Sequence, residues 1–593
     1  MESQGTRLFV GRLVVGLLQG LALYLLYSAF DARSWPANDG LVFAPLVIVA
    51  LFIPLLLAQA LGNVRALTLI LWSLAAAAIV AGFAAYNIWH GWPLEWQWQS
   101  NSYLPRVLPS VGTFFFSAVF LFIGQALVVA GDSDHKIVAH YHTDFDVAWK
   151  QGLQFALAFV FLAIFWALLW LGAALFKLIA LDFLEKLIEH RWFAIPATTL
   201  AIAAALHITD VRAVLVRGAR SLVLALFSWL LLLIVVIAAG FLASLFGTGL
   251  EPLWKTRMAT GLLLTAAAAL IILINAAYQD GDAERKPLRI LRLAGSLGGL
   301  MLLPIEALAG YAVYLRIGQY GWTAERIAAV ACVTVAAAYA IGYAIAAVWP
   351  KDWFKPVERW NFAVSLLVLA VIAALFSPLI DPLRIGVASQ LARLESGKIT
   401  PEKFDFWYLR HQGGRFGKAA LEKLAQSTNV KIATAAKNAL SNKWPTGAFA
   451  ATPILSQSDL AARIHMHPVS ATLPQSFLTQ DWSGLPNDCL TGALPIGWVC
   501  DAVLKDVEGS GTPNVVLTYG AEAATSWRQI TVYRLEAGHW SAISHFDGQL
   551  CKGELEKLFA GGFQSVVPVQ RDLQLGARRL TMARVSGPEQ TCK

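Results

Sequence analysis

Eleven long apolar runs occupy the first 380 residues, at about 8–30, 41–61, 66–89, 108–130, 152–176, 193–209, 221–246, 258–278, 294–315, 327–348 and 361–380. About 20 apolar residues wound as a helix cross a hydrocarbon core of about 30 Å, and a helix satisfies its own backbone N–H and C=O groups there. The sequence therefore reads as a polytopic α-helical membrane protein of about eleven spans. Charged residues make up 14% of the chain and hydrophobic ones 57%, whereas a soluble chain carries about 25% charge. The 22 Trp agree, because indole rings favour bilayer interfaces. The first run carries Arg7 and Arg12 at its start. It is too long for a signal-peptide core and has no clear A-x-A site, so it reads as a retained span.

Orientation follows from Lys and Arg near span ends. With the N-terminus inside, inner segments hold 15 such residues and outer segments 9. An odd number of spans then places the C-terminus outside. The stretch 381–443 runs against this bias, with eleven Lys/Arg against five Asp/Glu, but long exported segments translocate largely regardless of charge. The net charge of +8 is divided between loops and this stretch, so the expected counterpart is anionic membrane lipid rather than nucleic acid.

The chain divides into a bundle (1–380), a basic, helical, membrane-proximal segment (381–448) and a small soluble domain (449–593), α+β or mainly β. In the second part "LEKLAQ" and "KIATAAKNAL" show helical spacing, and "KWPTGAFAATP" reads as a linker. In the third, "NVVLTYG", "RQITVYRLEAGHWSAISHF" and "FQSVVPVQRDLQLGARRLTMARV" read as strands. Cys332 lies in a span, while Cys489, Cys500, Cys551 and Cys592 all fall in the last 105 residues. An even set confined to the tail points to disulfides and an oxidising compartment. Three pairings are open, and proximity favours Cys489–Cys500 with Cys551–Cys592.

Within the bundle, Glu306 stands near the centre of the ninth run, in "LLPIEALAG". A charge there costs about 3 kcal/mol on insertion scales, so it should face the bundle interior or water. It would carry protons or a cation, or else remain a neutral acid bonded to a neighbouring helix. His207, Asp210, Asn275, Tyr278 and Asp280 gather at the predicted inner ends of the sixth and eighth runs, as a polar cluster at the cytoplasmic face or as ordinary helix ends. "DFLEKLIEHRWF" (182–193) sets Phe183, Leu184, Leu187 and Ile188 on one helical face. It suits a surface helix or an extension of the fifth span.

Three metal readings arise. "KDVEGSGTPNVVL" resembles the calcium-loop segment of FG-GAP-type repeats, with Asp506, Glu508, Ser510 and Asn514 at loop positions one, three, five and nine. Ser and Asn stand where that pattern has acids, and calcium needs six to eight oxygens, so the other reading is a tight turn with Gly509 and Gly511. "HYHTDFD" alternates His140, His142, Asp144 and Asp146, and "HMH" holds His465 and His467; a solvated loop is the default for both. The loop "HGWPLEWQWQSNSYLP" (90–105) would stack sugars or sit among headgroups. No Walker, G-x-S-x-G, H-E-x-x-H or dinucleotide motif is present, and the first outer loop, "DARSWPANDG", is short for a lipid-linked glycosyltransferase site.

"DFDVAWKQGLQFALAFVFLAIFWALLWLGAALFKLI", "GLEPLWKTRMATGLLL", "LINAAYQDG", "RIGQYGWTAERI" and "PEKFDFWYLR" together resemble a family of bacterial inner-membrane proteins known as domain of unknown function 4153. The resemblance covers most of the chain to about residue 420. It implies a bacterial inner membrane and many spans, and it brings no catalytic residues. Three functions remain in view: an envelope protein whose outer domain meets a partner, lipid or polymer; a proton- or cation-coupled transporter centred on Glu306; and an enzyme acting on a lipid-linked substrate.

Overall fold

The computed structural model describes residues 2–91, 107–251, 253, 259–281, 287–349, 352–440, 457–468, 470–480, 482, 488–491, 498–521, 526–536, 538–550, 552–560, 562–563, 573–575 and 578–580. Among these residues eleven helices are long and apolar enough to cross a membrane: Gly5–Asp31, Gly40–Ala60, Ala66–His90, Val111–Asp134, Tyr141–Leu178, Arg191–Val211, Val216–Thr248, Ala259–Tyr278, Arg289–Tyr320, Ala324–Ala347 and Val357–Leu375. They correspond one for one with the apolar runs and are called the first to eleventh spans below. The fifth is the longest, at 38 residues. At 1.5 Å per residue it is about 57 Å long, well beyond the hydrocarbon thickness.

Local chemistry sets several ends. Asp39 caps the second span through Leu41 N (2.9 Å) and Ser110 caps the fourth through Thr113 N (3.2 Å). Gly91, in the left-handed region at φ 71°, closes the third. After the fifth span the chain breaks, with Ala180 at φ 61°, and a separate short helix forms at Phe183–Glu189. Ile188 is buried and Phe183 packs on Phe176 with ring centres 4.9 Å apart. The segment is therefore not an extension of the fifth span. Lys186 beside Asp182 (i, i+4) holds that carboxyl below its usual range.

Without a hydrophobic drive between helices in lipid, small residues permit close approach. Gly16 and Gly20, four apart on the first span, meet the sixth. A Cβ on Gly16 would lie 2.7 Å from Ala203 Cβ, and one on Gly20 would lie 2.5 Å from Pro196 Cα. Farther along the chain, Leu231, Leu263, Leu270, Ile274, Leu302, Ala309 and Tyr343 share one buried core, joining the seventh to tenth spans.

The chain forms two compact units, residues 1–398 with 407–423, and residues 399–406 with 424–593. Two helices of the basic stretch pack in the first unit. Asp381, fully buried, caps Pro382–Glu395 through Leu383 N (2.8 Å) and accepts the Tyr86 hydroxyl. At the start of Gly414–Leu424, Arg415 lies over the Trp89 ring at 3.9 Å.

In the second unit a five-stranded mixed sheet runs in the order β1 (Ile464–His467), β2 (Trp498–Lys505), β3 (Asn514–Ala521), β4 (Ser526–Glu536), β5 (His539–Leu550). β1 pairs parallel to β2, and the remaining pairs are antiparallel. Cys500, Ala502 and Leu504 face a core that includes Phe477, Trp482, Tyr533 and Trp540. The disulfide Cys489–Cys500, with Cα atoms 5.8 Å apart, fastens the helix Asp488–Thr491 to β2. The three stretches read as strands hold β3, β4, β5 and, in the last, the short antiparallel pair Leu573–Leu575 and Arg578–Leu580. β1, β2 and the helix Lys552–Phe559 were not foreseen. The linker 443–453, Cys551 and Cys592 lie outside the described residues, as does the aromatic loop beyond Gly91.

Candidate functional site

Of the five polar residues read as one cluster, His207 and Asp210 belong to one hydrogen-bond network and Asn275 and Tyr278 lie in another region. In the first, Arg12, with its side chain 1% exposed, donates to Asp210 Oδ2 at 2.7 Å and to Leu61 O at 2.8 Å. Its Nη1 lies 3.3 Å from His207 Nδ1. Lys150 donates to the other Asp210 oxygen at 2.8 Å, and Asn63 also reaches this carboxylate. The site joins the first, fifth and sixth spans and the turn after the second. Two cations on one carboxylate balance the desolvation that a single buried charge would leave uncompensated. Arg12 and Lys150 figured in the sequence only as orientation charges, because nothing local marks which charge a distant span will meet.

The second network is a closed triangle of neutral groups. Asn275 donates to Tyr343 Oη at 2.6 Å, Tyr343 to Asn361 Oδ1 at 2.8 Å, and Asn361 to Asn275 Oδ1 at 2.7 Å. Beside it, Tyr278 and Lys355 both donate to Glu358 Oε1 at 2.8 Å. Asp280 lies in the turn that follows the eighth span. The sequence reading missed a third set, a run of amides across four spans: Trp72 to Gln125 (2.6 Å), Gln125 to Gln59 (2.9 Å) and Gln59 to Gln154 (3.4 Å). Such bonds between helices restrict how the spans slide past one another.

Glu306 differs from all of these. It is 5% exposed, and neither carboxylate oxygen has a hydrogen-bond partner among the described residues. Pro304 does not stop its helix, which runs unbroken over Arg289–Tyr320. Leu302 and Ala309 on the same span are fully buried.

In the second unit, Asp506, Glu508, Ser510 and Asn514 close a turn on themselves. Asp506 accepts backbone N–H groups from Glu508 (3.2 Å), Ser510 (3.1 Å) and Gly511 (2.7 Å). These amides, Gly511's foremost, hold its carboxyl below the usual range. Asn514 turns its amide N–H toward Glu508 (3.2 Å), and Glu508 also accepts Arg534 at 2.9 Å. Gly509 and Gly511 have φ of 69° and 81°. N–H donors and a guanidinium thus bond to the two carboxylates of this turn.

His140 precedes the fifth helix and bonds Asp134 (2.8 Å), and Asp146 bonds Arg220. His142, Asp144 and Asp146 therefore lie on a helix, where alternate residues diverge. His465 and His467 share a sheet face with Asp501. His467 Nε2 is 2.9 Å from Asp501 Oδ1, while Arg528 holds Asp501 Oδ2 at 3.0 Å. Among the described residues no three His, Cys, Asp or Glu side chains are arranged to hold a metal.

Eleven apolar helices tied by buried polar networks, followed by a mixed-sheet unit with a disulfide, define a polytopic helical membrane protein with a C-terminal soluble domain. The chain belongs to the family described as a domain of unknown function (DUF4153), whose model matches residues 14–425. No curated protein and no solved structure matches it.

Proposed function

We propose that this chain is a bacterial inner-membrane protein, N-terminus in the cytoplasm, whose spans hold the C-terminal domain in the periplasm. There the domain meets a partner, lipid headgroups or an envelope polymer. The observation carrying this reading is the Cys489–Cys500 disulfide, because structural disulfides persist in oxidising compartments. The Lys/Arg bias and the odd span count support it independently. The test is thiol labelling of intact spheroplasts that carry the Cys332→Ser variant, with a reagent that cannot cross membranes. Labelling of the C-terminal domain after reduction and unfolding is the expected result. Labelling only in lysates would reverse the orientation.

A second reading, a proton- or cation-coupled transporter centred on Glu306, is favoured by one observation: among the described residues the two Glu306 oxygens are buried without a partner. An ionisable residue in the membrane is a functional candidate by default. Glu306→Gln in proteoliposomes should abolish proton-driven uptake of any solute the protein carries. Flux unchanged by that substitution removes the reading. The lipid-linked enzyme has no comparable observation in its favour.

A further inference from the structure

A cleft of 420 Å³ opens between the start of the third span and the end of the fourth. Its walls mix three basic side chains, Arg65, His135 and Lys136, with apolar Leu127, Val128 and Ile137. One carboxylate, Asp132, also lines it, already engaged by Arg65 Nε (2.7 Å), Arg65 N (3.0 Å) and the Thr68 hydroxyl (2.7 Å). This arrangement fixes Arg65 through Nε alone. Both terminal nitrogens of a side chain that is 62% exposed are left for a ligand. The carbonyls at the end of the fourth span do not repel an anion strongly, because His135 N and Lys136 N bond Asp132 O (3.3 Å) and Gly131 O (3.0 Å). Gly131 admits that turn: a Cβ there would lie 2.8 Å from Lys136 O.

We infer that this cleft binds the phosphate of an anionic phospholipid. A guanidinium fork matches phosphate oxygens in pairs, and a lysine adds a point charge. The apolar side fixes the occupant as an amphiphile. Ile137 is fully exposed and Val138 is 52% exposed, directly beside Lys136 at a span end. In a membrane they sit at the boundary where headgroup gives way to acyl chain. Arg65 and Lys136 both belong to the segments that charge bias assigns to the inner face, where anionic lipid concentrates. The binding chemistry itself holds on either face.

The test uses full-length protein in detergent micelles, with lipid adducts read by native mass spectrometry against phosphatidylglycerol and phosphatidylcholine. Wild type should retain phosphatidylglycerol selectively. His135→Gln/Lys136→Gln, which leaves the Arg65–Asp132 pair intact, should lower that retention by roughly fivefold per lysine charge removed. Arg65→Gln should lower it further. Lys398→Gln, on an exposed turn of the separate basic stretch 381–443, should change nothing. Matching melting temperatures establish that the variants are folded. Sodium phosphate added to wild type separates the sources: retention that survives it places the lipid in the cleft, and retention that collapses assigns the cleft to soluble phosphate. Equal retention of the two lipids by wild type, or undiminished selectivity in both cleft variants, overturns the inference.

Discussion

Two carboxylates in the bundle make a useful contrast. At Asp210 the carboxylate meets Arg12 and Lys150 at 2.7 and 2.8 Å. At Glu306 it meets no donor among the described residues. Among the described residues only the first has counter-ions, so the first acts as a structural joint between spans and the second does not. Burial alone therefore does not identify a functional carboxyl. What separates the two is whether the surrounding spans supply partners.

The contrast predicts a hierarchy of effects. Arg12→Met should be the most damaging, costing about 3 kcal/mol of unfolding stability in detergent, because it leaves a half-buried carboxylate short of a cation. Adding Asp210→Leu should recover part of that loss, and a double-mutant cycle that showed no coupling would break the comparison. Glu306→Leu should act in the opposite direction, raising stability by about 1 kcal/mol, since it removes unsatisfied polar atoms and no bond. A destabilised Glu306→Leu protein would mean that the carboxyl has a partner after all. Asn275→Ala opens the neutral triangle and should cost about 0.6 kcal/mol, the ordinary size of a hydrogen bond between membrane helices.

The exposed carboxylate of Asp506 should show the mildest effect, and it should depend on pH. Its folded pKa is depressed by backbone amides. Its contribution is therefore present above the unfolded value of about 3.9 and is lost as pH falls through the lower folded value. Amide exchange at Ser510 and Gly511 should accelerate over that acid window and lose the dependence in Asp506→Asn.

The eleven spans were legible because length and apolarity are properties of one segment at a time. Glu306 was legible for the same reason, as a lone acid inside an apolar run. The joint around Arg12 was not. Its two members stand 198 residues apart, and no local pattern links them. The proposed cluster of His207, Asp210, Asn275, Tyr278 and Asp280 was drawn from shared depth in the membrane. Depth alone does not say which helices are neighbours, so the residues belong to different networks. In the C-terminal domain, β1 is four residues long and β2 carries a buried Asp501 on the face opposite its core residues. Its Arg528 partner lies two strands away and is invisible in the strand's own sequence.

The long separation between Arg12 and Asp210 has a consequence during synthesis. At about 5–20 residues per second, roughly 10–40 seconds pass between the emergence of the first helix and that of its counter-ion. Throughout that interval the guanidinium must stay drawn up toward the headgroups at the N-terminal end of its helix. The first helix thus enters the bilayer in a provisional position and seats fully only when the sixth arrives to take its charge.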